Sequence, residues 1–234
     1  MPDVDLPESL EPAARALFSD RLPLVRRYAE LLATDGVVRG LLGPREADRI
    51  WDRHLLNCAV VTEIIADGAS VTDVGSGAGL PGIALALART DLSVVLVDSL
   101  ARRATFLTEA VTELGLADRV SVVRGRAEEL ADRVPAADVV TARAVAPLDR
   151  LAAWCLPLTL VGGRLVALKG SSAADEVAAH GPAVARLGGG TPMVRRCGVE
   201  LLVEPTTVVE VVREQLAPGA VGGRRPAAHG RRTR

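Results

Sequence analysis

Ten residues, DVGSGAGLPG (Asp73 to Gly82), end a hydrophobic run in a burst of glycines. Bare glycines let a nucleotide-type ligand approach backbone amides, and the start of a helix adds a field that favours a carboxylate or phosphate. Two registers fit. Gly75, Gly77 and Gly79 read as G-x-G-x-G, whereas Gly77, Gly79 and Gly82 read as the G-x-G-x-x-G of dinucleotide sites. The run stops after Asp73 and Val74, which puts the tight turn at Gly75. Pro81 suits the first helical position, where its missing N–H costs nothing, so Gly82 falls inside the helix. Both points favour the first register. Asp98 ends the next β-rich run, SVVLVD, and an acidic side chain about 20 residues past such a loop accepts ribose hydroxyls. It can equally cap a helix starting at Leu100. As a ribose ligand it indicates an adenosine, common to NAD and S-adenosylmethionine sites alike.

Three further segments fall where other strands should end. In GRAEEL (125–130), Ala127 and Glu128 can bound an adenine, one by packing and one by hydrogen bonding, although a glutamate in a first helical turn is commonplace. TARAVAPL (141–148) contains no Asn/Asp-Pro-Pro-aromatic tetrad for amino groups, and none of Cys58, Cys155 and Cys197 follows a proline as a pyrimidine-directed nucleophile commonly does. Arg143 offers instead a rigid fork of donors for a carboxylate, a phosphate or a guanine edge. LKG (168–170) carries Lys169, the sole lysine in a chain whose other basic side chains are arginines. Lys169 is either a solvated strand end or a functional group at the rim.

These positions require a sheet whose carboxyl ends converge. Short β-rich runs at 70–74, 93–98, 119–123, 137–142 and 164–169 alternate with helical stretches at 81–89, 100–114, 127–134 and 147–160. That alternation predicts right-handed βαβ units in a parallel sheet covered on both faces. Residues 193–204 and 206–214 leave no room for a helix between them and read as a terminal hairpin. Upstream the pattern is helical. Leu24, Val25, Tyr28, Leu31 and Leu32 share one face, and a second helix opens near Pro44, runs through RIWDRHLLNCAVVTEII and stops near Gly68. The expected organisation is an N-terminal helical cap (1–67), a Rossmann-like α/β domain (68–215), and a basic tail (216–234) that is either a disordered solubilising segment or an RNA-contacting arm.

Composition narrows the partners. Only 2% of residues are aromatic, so extensive base stacking is not expected, and a net charge of −1 means that a nucleic acid would have to meet a local basic face. Apolar runs such as GIALALA fall short of the roughly 20 residues that span a bilayer. The acidic start MPDVDLPESL does not read as a secretory signal. Three distant cysteines without a C-x-x-C argue against disulfides and zinc. A cytoplasmic monomer without metal is expected.

Taken together, WDRHLLN (51–57), DVGSGAGLPGI (73–83), LVDSLARRATFL (96–107), GRAEEL, TARAVAPL and LKG resemble the 16S ribosomal RNA guanine-N7 methyltransferases, the RsmG or GidB family, over about residues 24–214. G-x-G-x-G occurs in most class I methyltransferases; it is the combination that is specific. The resemblance implies a class I S-adenosylmethionine-dependent fold and methylation of N7 of a guanine in the 530 loop of the small ribosomal subunit. It places cofactor contacts at Gly75, Leu80, Ala127, Glu128 and Arg143. Asp73, Gly77, Gly79 and Asp98 join them on the general pattern of the class. Asn57 and Cys58 stand where an acidic residue and a serine are more usual, which bears on the cap helix.

Guanine N7 carries a lone pair and no proton, so no general base is needed, and catalysis should rest on alignment. Arg143 and Lys169 are therefore expected to position rather than to move protons, with Arg143 on the cofactor carboxylate or an RNA phosphate. RNA contacts are expected from Arg53 and His54 upstream, from Arg102 and Arg103 after Asp98, and from Lys169 at the site rim. The two arginines can equally be a solvated helix face, and His54 a structural histidine. Duplex RNA hides N7 in a deep groove, so a loop base is the expected substrate. Rival readings are an oxidoreductase using the Gly77–Gly82 register, a small-molecule methyltransferase, and a binding-only domain that kept the fold.

Overall fold

The computed structural model describes residues 4–215, and the basic tail at 216–234 lies outside them. Among the described residues a single seven-stranded sheet has the order β3-β2-β1-β4-β5-β7-β6. Its strands are β1 (Ser70–Val74), β2 (Ser93–Asp98), β3 (Val120–Arg124), β4 (Ala137–Arg143), β5 (Thr159–Leu168), β6 (Met193–Cys197) and β7 (Thr206–Val212). The first five are parallel. β7 inserts antiparallel between β5 and β6, completing the terminal hairpin expected from the sequence. Strands covered on both faces become near-continuous valine and leucine runs such as SVVLVD. The order reverses between β1 and β4, so the loops leaving their carboxyl ends diverge and open a crevice.

The helices divide between the two faces. α1 (Glu11–Phe18), α2 (Leu22–Leu31), α3 (Asn57–Ala59), α4 (Gly82–Ala88) and α5 (Ala101–Glu113) share one core with the β1–β4 sheet face. α6 (Leu148–Cys155) and α7 (Ala173–Arg186) cover the other. α4, the segment GIALALA, is sandwiched between the N-terminal helices and the sheet. It buries every residue from Gly82 to Leu87, which explains its unbroken apolar sequence. On α2, Val25, Tyr28 and Leu31 are buried as the periodicity predicts, and Leu24 is only partly so.

Three elements differ from expectation. Residues 44–64 are helical throughout but pass through 3-10, π and α turns instead of one regular helix. The stretch 127–134 forms only a short 3-10 turn, Ala127–Glu129, because Pro135 and the start of β4 leave no length to extend it. α7 is a helix the sequence pattern conceals: its buried face consists of Ala173 and Val184, and the helix-breaking pair Gly181-Pro182 lies inside it. No helix of the described residues is long and apolar enough to cross a membrane.

Candidate active site

The glycine loop resolves the register. Gly75, Gly77 and Gly79 have φ of 70°, 59° and 95°, the left-handed region that costs a residue with a Cβ roughly 1–2 kcal/mol. Gly82 is not among them. Its amide donates to Asp73 Oδ2 at 3.0 Å, and a Cβ there would overlap Leu96, so this glycine serves the close packing of α4 on β2. G-x-G-x-G is therefore the conformational unit. Asp73 lies beneath it, fully buried, and receives the Thr141 hydroxyl at 3.3 Å as well. Burial pushes its carboxyl up to about 6, with the Gly82 amide and Thr141 hydroxyl opposing. From the helical layer, Tyr28 donates its phenol to the Ala78 carbonyl at 2.7 Å, so α2 holds the middle of the loop. Leu80 is buried beside it.

Asp98 is buried at the end of β2, and both of its carboxylate oxygens accept backbone amides. Its Oδ1 accepts the Leu100 amide at 3.0 Å, the local contact that starts α5. Its Oδ2 accepts the Gly77 amide at 3.0 Å and lies 3.4 Å from the Arg103 guanidinium. The Gly125 amide donates to the Asp98 carbonyl at 3.1 Å, bringing the turn with buried Ala127 and exposed Glu128 to the same rim. Arg102 is exposed on the first turn of α5.

Across the switch point lies a cleft of about 1470 Å³, lined by Arg53, His54, Arg143, Lys169 and the acidic side chains of Glu46, Asp52 and Glu204 among others. Arg143, at the end of β4, donates to the Arg53 carbonyl at 3.4 Å. His54 Nε2 is 2.9 Å from Glu46 Oε2, while its Nδ1 is buried without a partner. Burial first, then the Arg143 charge, lower its pKa to about 4, so the ring is neutral at physiological pH. Lys169 Nζ donates to the Ala146 carbonyl at 2.8 Å and to Glu176 at 2.7 Å. Thus Arg53, His54, Arg143 and Lys169 gather at one cleft, and Arg102 and Arg103 stand on the opposite, Asp98 side.

Segment 143–147 is the wall between the two sides. Ala144 has φ of 55°, and Val145 leans over Gly75 so closely that a Cβ there would lie 2.9 Å from its Cγ2. The sequence did not disclose Tyr28, Val145, Glu46 or Glu176 as parts of this arrangement. Each acts through a partner 8 to 70 positions away (Glu46 with His54, Tyr28 with Ala78, Glu176 with Leu148, Val145 with Gly75). No local pattern encodes such pairs. Among the described residues no group of three or more His, Cys, Asp or Glu is placed to hold a metal ion.

Two solved methyltransferases share the fold at low sequence identity. Mitomycin 7-O-methyltransferase matches with a TM-score of 0.59 and 18% identity over 91% of this chain and 74% of that one. A ribosomal protein L11 methylase from Lactobacillus delbrueckii subsp. bulgaricus matches with a TM-score of 0.52 and 17% identity, over 70% and 79%. Much nearer in sequence is the ribosomal RNA small subunit methyltransferase G of Salinispora tropica, 64% identical over 92% of this chain and 90% of its own. The protein of the same name from Corynebacterium efficiens is 54% identical over 92% and 93%. The GidB family model, described as rRNA small subunit methyltransferase G, matches residues 21–201, spanning the α2 helix, the glycine loop, Asp98, Arg143 and Lys169. The chain belongs to the rRNA small subunit methyltransferase G family, and it is a methyltransferase.

Proposed function

We propose that the protein methylates N7 of a guanine in the 530 loop of 16S ribosomal RNA, in the cytoplasm, with S-adenosylmethionine as donor. The observation that carries this reading is the pairing of two unlike compartments across one wall. On one side stand a glycine loop and a buried carboxylate; on the other is a cleft lined by Arg53, His54 and Arg143 together with the acidic Glu46, Asp52 and Glu204, large enough for a nucleotide presented from a loop.

The residues fit the cofactor. A Cβ placed on Gly77 would find its nearest neighbour 3.8 Å away, so the backbone there is open to a ligand. A carboxylate has about four lone-pair sites, and Asp98 uses only part of them on Leu100, Gly77 and Arg103, which leaves acceptor capacity for ribose hydroxyls. In this reading Ala127 and Glu128 would bound the adenine, and Gly75 and Leu80 would contribute further cofactor contacts. When bound, S-adenosylmethionine supplies an electrophilic methyl, whose C–S pair returns to sulfur as the N7 lone pair forms the new C–N bond.

The chain's own residues align and discriminate. Arg143, which ends β4 and lines the cleft, would hold the cofactor carboxylate or an RNA phosphate. His54 is neutral, and that suits a reaction in which positive charge develops on the purine, since a second cation beside the ring would oppose it. Arg102, exposed beyond the wall, is available to RNA phosphates, and Arg53 on the cleft rim would reach them by exchanging its 3.4 Å contact with Glu46. Incubating the protein with methyl-labelled S-adenosylmethionine and small subunits from a strain lacking the enzyme tests the proposal. Label in a single N7-methylguanine of 16S RNA supports it; label only in a small molecule or in protein overturns it.

A further inference from the structure

Lys169 is the sole lysine of the chain, and its ammonium does not face solvent: its side chain is 10% exposed. Two of its three donors are taken, by the Ala146 carbonyl at 2.8 Å and by Glu176 Oε2 at 2.7 Å. The same Glu176 oxygen accepts the Leu148 amide at 3.0 Å. Leu148 opens α6, whose own N-cap, Pro147, provides no side-chain acceptor. A carboxylate from the first turn of α7 therefore caps α6 from outside, favoured by charge at a helix start. Lys169 then clamps the carbonyl just before that cap.

What these contacts immobilise is the wall. Arg143 is tied at one end of it through the Arg53 carbonyl, and Ala146 and Leu148 are tied at the other. Between them Ala144 is left-handed, a conformation that persists in a residue with a Cβ only where its surroundings over-determine it. Past that residue Val145 lies on Gly75, while Arg143, the last residue of β4, lines the cleft.

We propose that Glu176 is a positioning residue for methyl transfer: acting through Lys169 and the Leu148 amide, it holds segment 143–147 in its strained form, so that Arg143 and Val145 are set between donor and guanine. Lys169 is then a structural clamp and not a phosphate ligand. The inference rests on the methyltransferase reading above, and it gives a role to an acidic residue of the cleft lining.

The test compares Glu176→Gln, Glu176→Ala, Lys169→Met and the Lys169→Met/Glu176→Ala double variant with the full-length protein. The readouts are S-adenosylmethionine Kd by calorimetry, kcat and KM on small subunits, hydrogen exchange at the amides of 144–148, and the salt dependence of RNA binding. Loss of a charge-assisted contact predicts a fall in kcat of about tenfold or more for Glu176→Ala and for Lys169→Met. KM for RNA should hold, exchange at 144–148 should be faster, and the double variant should be no worse than either single one. Glu176→Gln keeps an acceptor for Leu148, should fall between, and carries the same readouts should the alanine variant fail to fold. Multiplying effects in the double variant overturn the proposal. So does a salt slope reduced by about one in Lys169→Met with Glu176→Ala fully active, because that is the signature of a phosphate contact. If the wild-type protein makes no N7-methylguanine, the functional reading fails, while exchange and cofactor affinity still decide the clamp.

Discussion

The Asp98 carboxylate accepts the Gly77 amide at 3.0 Å, so the end of β2 fixes the turn that follows β1. One carboxylate thereby shapes the glycine loop and, in the proposed complex, meets the ribose. The same loop is held from the helical layer by Tyr28 on the Ala78 carbonyl.

Gly77→Asp should therefore abolish cofactor binding. Nothing crowds a Cβ at Gly77, whose nearest neighbour would be 3.8 Å away, so the effect must come from the φ of 59° and from a second carboxylate placed beside Asp98. Gly77→Ala isolates the first cause, worth roughly 1–2 kcal/mol. Calorimetry should show a moderate loss for alanine and no measurable S-adenosylmethionine binding for aspartate. Wild-type affinity in the aspartate variant sinks the assignment.

Arg143→Ala should lose methyl transfer with the fold intact, because Arg143 is half-buried in the wall and its side chain makes one long hydrogen bond, to the Arg53 carbonyl. The same variant carries an independent readout. The Arg143 charge helps hold the His54 pKa near 4, so removing it should move that pKa up toward 6.5 in an NMR titration. An unmoved His54 would mean that the two side chains do not share an environment, and a fully active variant removes Arg143 from the site.

His54 should also write itself into the pH dependence of stability. Its folded pKa lies below its ordinary value of 6.5, so between pH 4 and 6.5 the unfolded chain binds more protons and stability rises with pH. Asp73 acts in the opposite sense. Its pKa is raised from 3.8 to about 6, so the folded chain binds more protons there and stability falls as pH rises. The two slopes oppose in the wild type. In denaturant melts, His54→Gln should be most favourable relative to wild type at pH 4 and lose up to about 3 kcal/mol of that advantage by pH 6.5. A difference that does not change with pH contradicts the assignment.

Tyr28→Phe should cost about 1–2 kcal/mol, since it leaves the Ala78 carbonyl of a buried loop without its 2.7 Å donor. Because that carbonyl lies inside G-x-G-x-G, cofactor affinity should drop along with stability. Loss of stability with unchanged affinity would show that α2 supports the core and not the loop.

The parts legible in the sequence were those with local signatures. Strand–helix alternation, the stop of β1 before Gly75, and the acidic end of β2 each follow from a few adjacent residues, and the structure placed them as read except at 127–134, where a short 3-10 turn replaces the expected helix. α7 escaped because alanines form its apolar face and Gly181-Pro182 breaks its rhythm, so no period of 3.6 stands out. With α7 hidden, Glu176 had no reason to be near Lys169, and the lysine read as a free cation at the rim. The left-handed Ala144 was likewise invisible, since it is imposed by contacts on either side and not by its own type.

The central claim is the transfer of a methyl group to one guanine N7 in the 530 loop. Borohydride–aniline cleavage followed by primer extension along 16S RNA, in a strain deleted for this gene and in the same strain complemented with it, tests that claim most directly. One N7-methylguanine signal, in the 530 loop, should vanish on deletion and return on complementation with the wild type but not with Arg143→Ala. An identical cleavage map in the deleted and parent strains would contradict it.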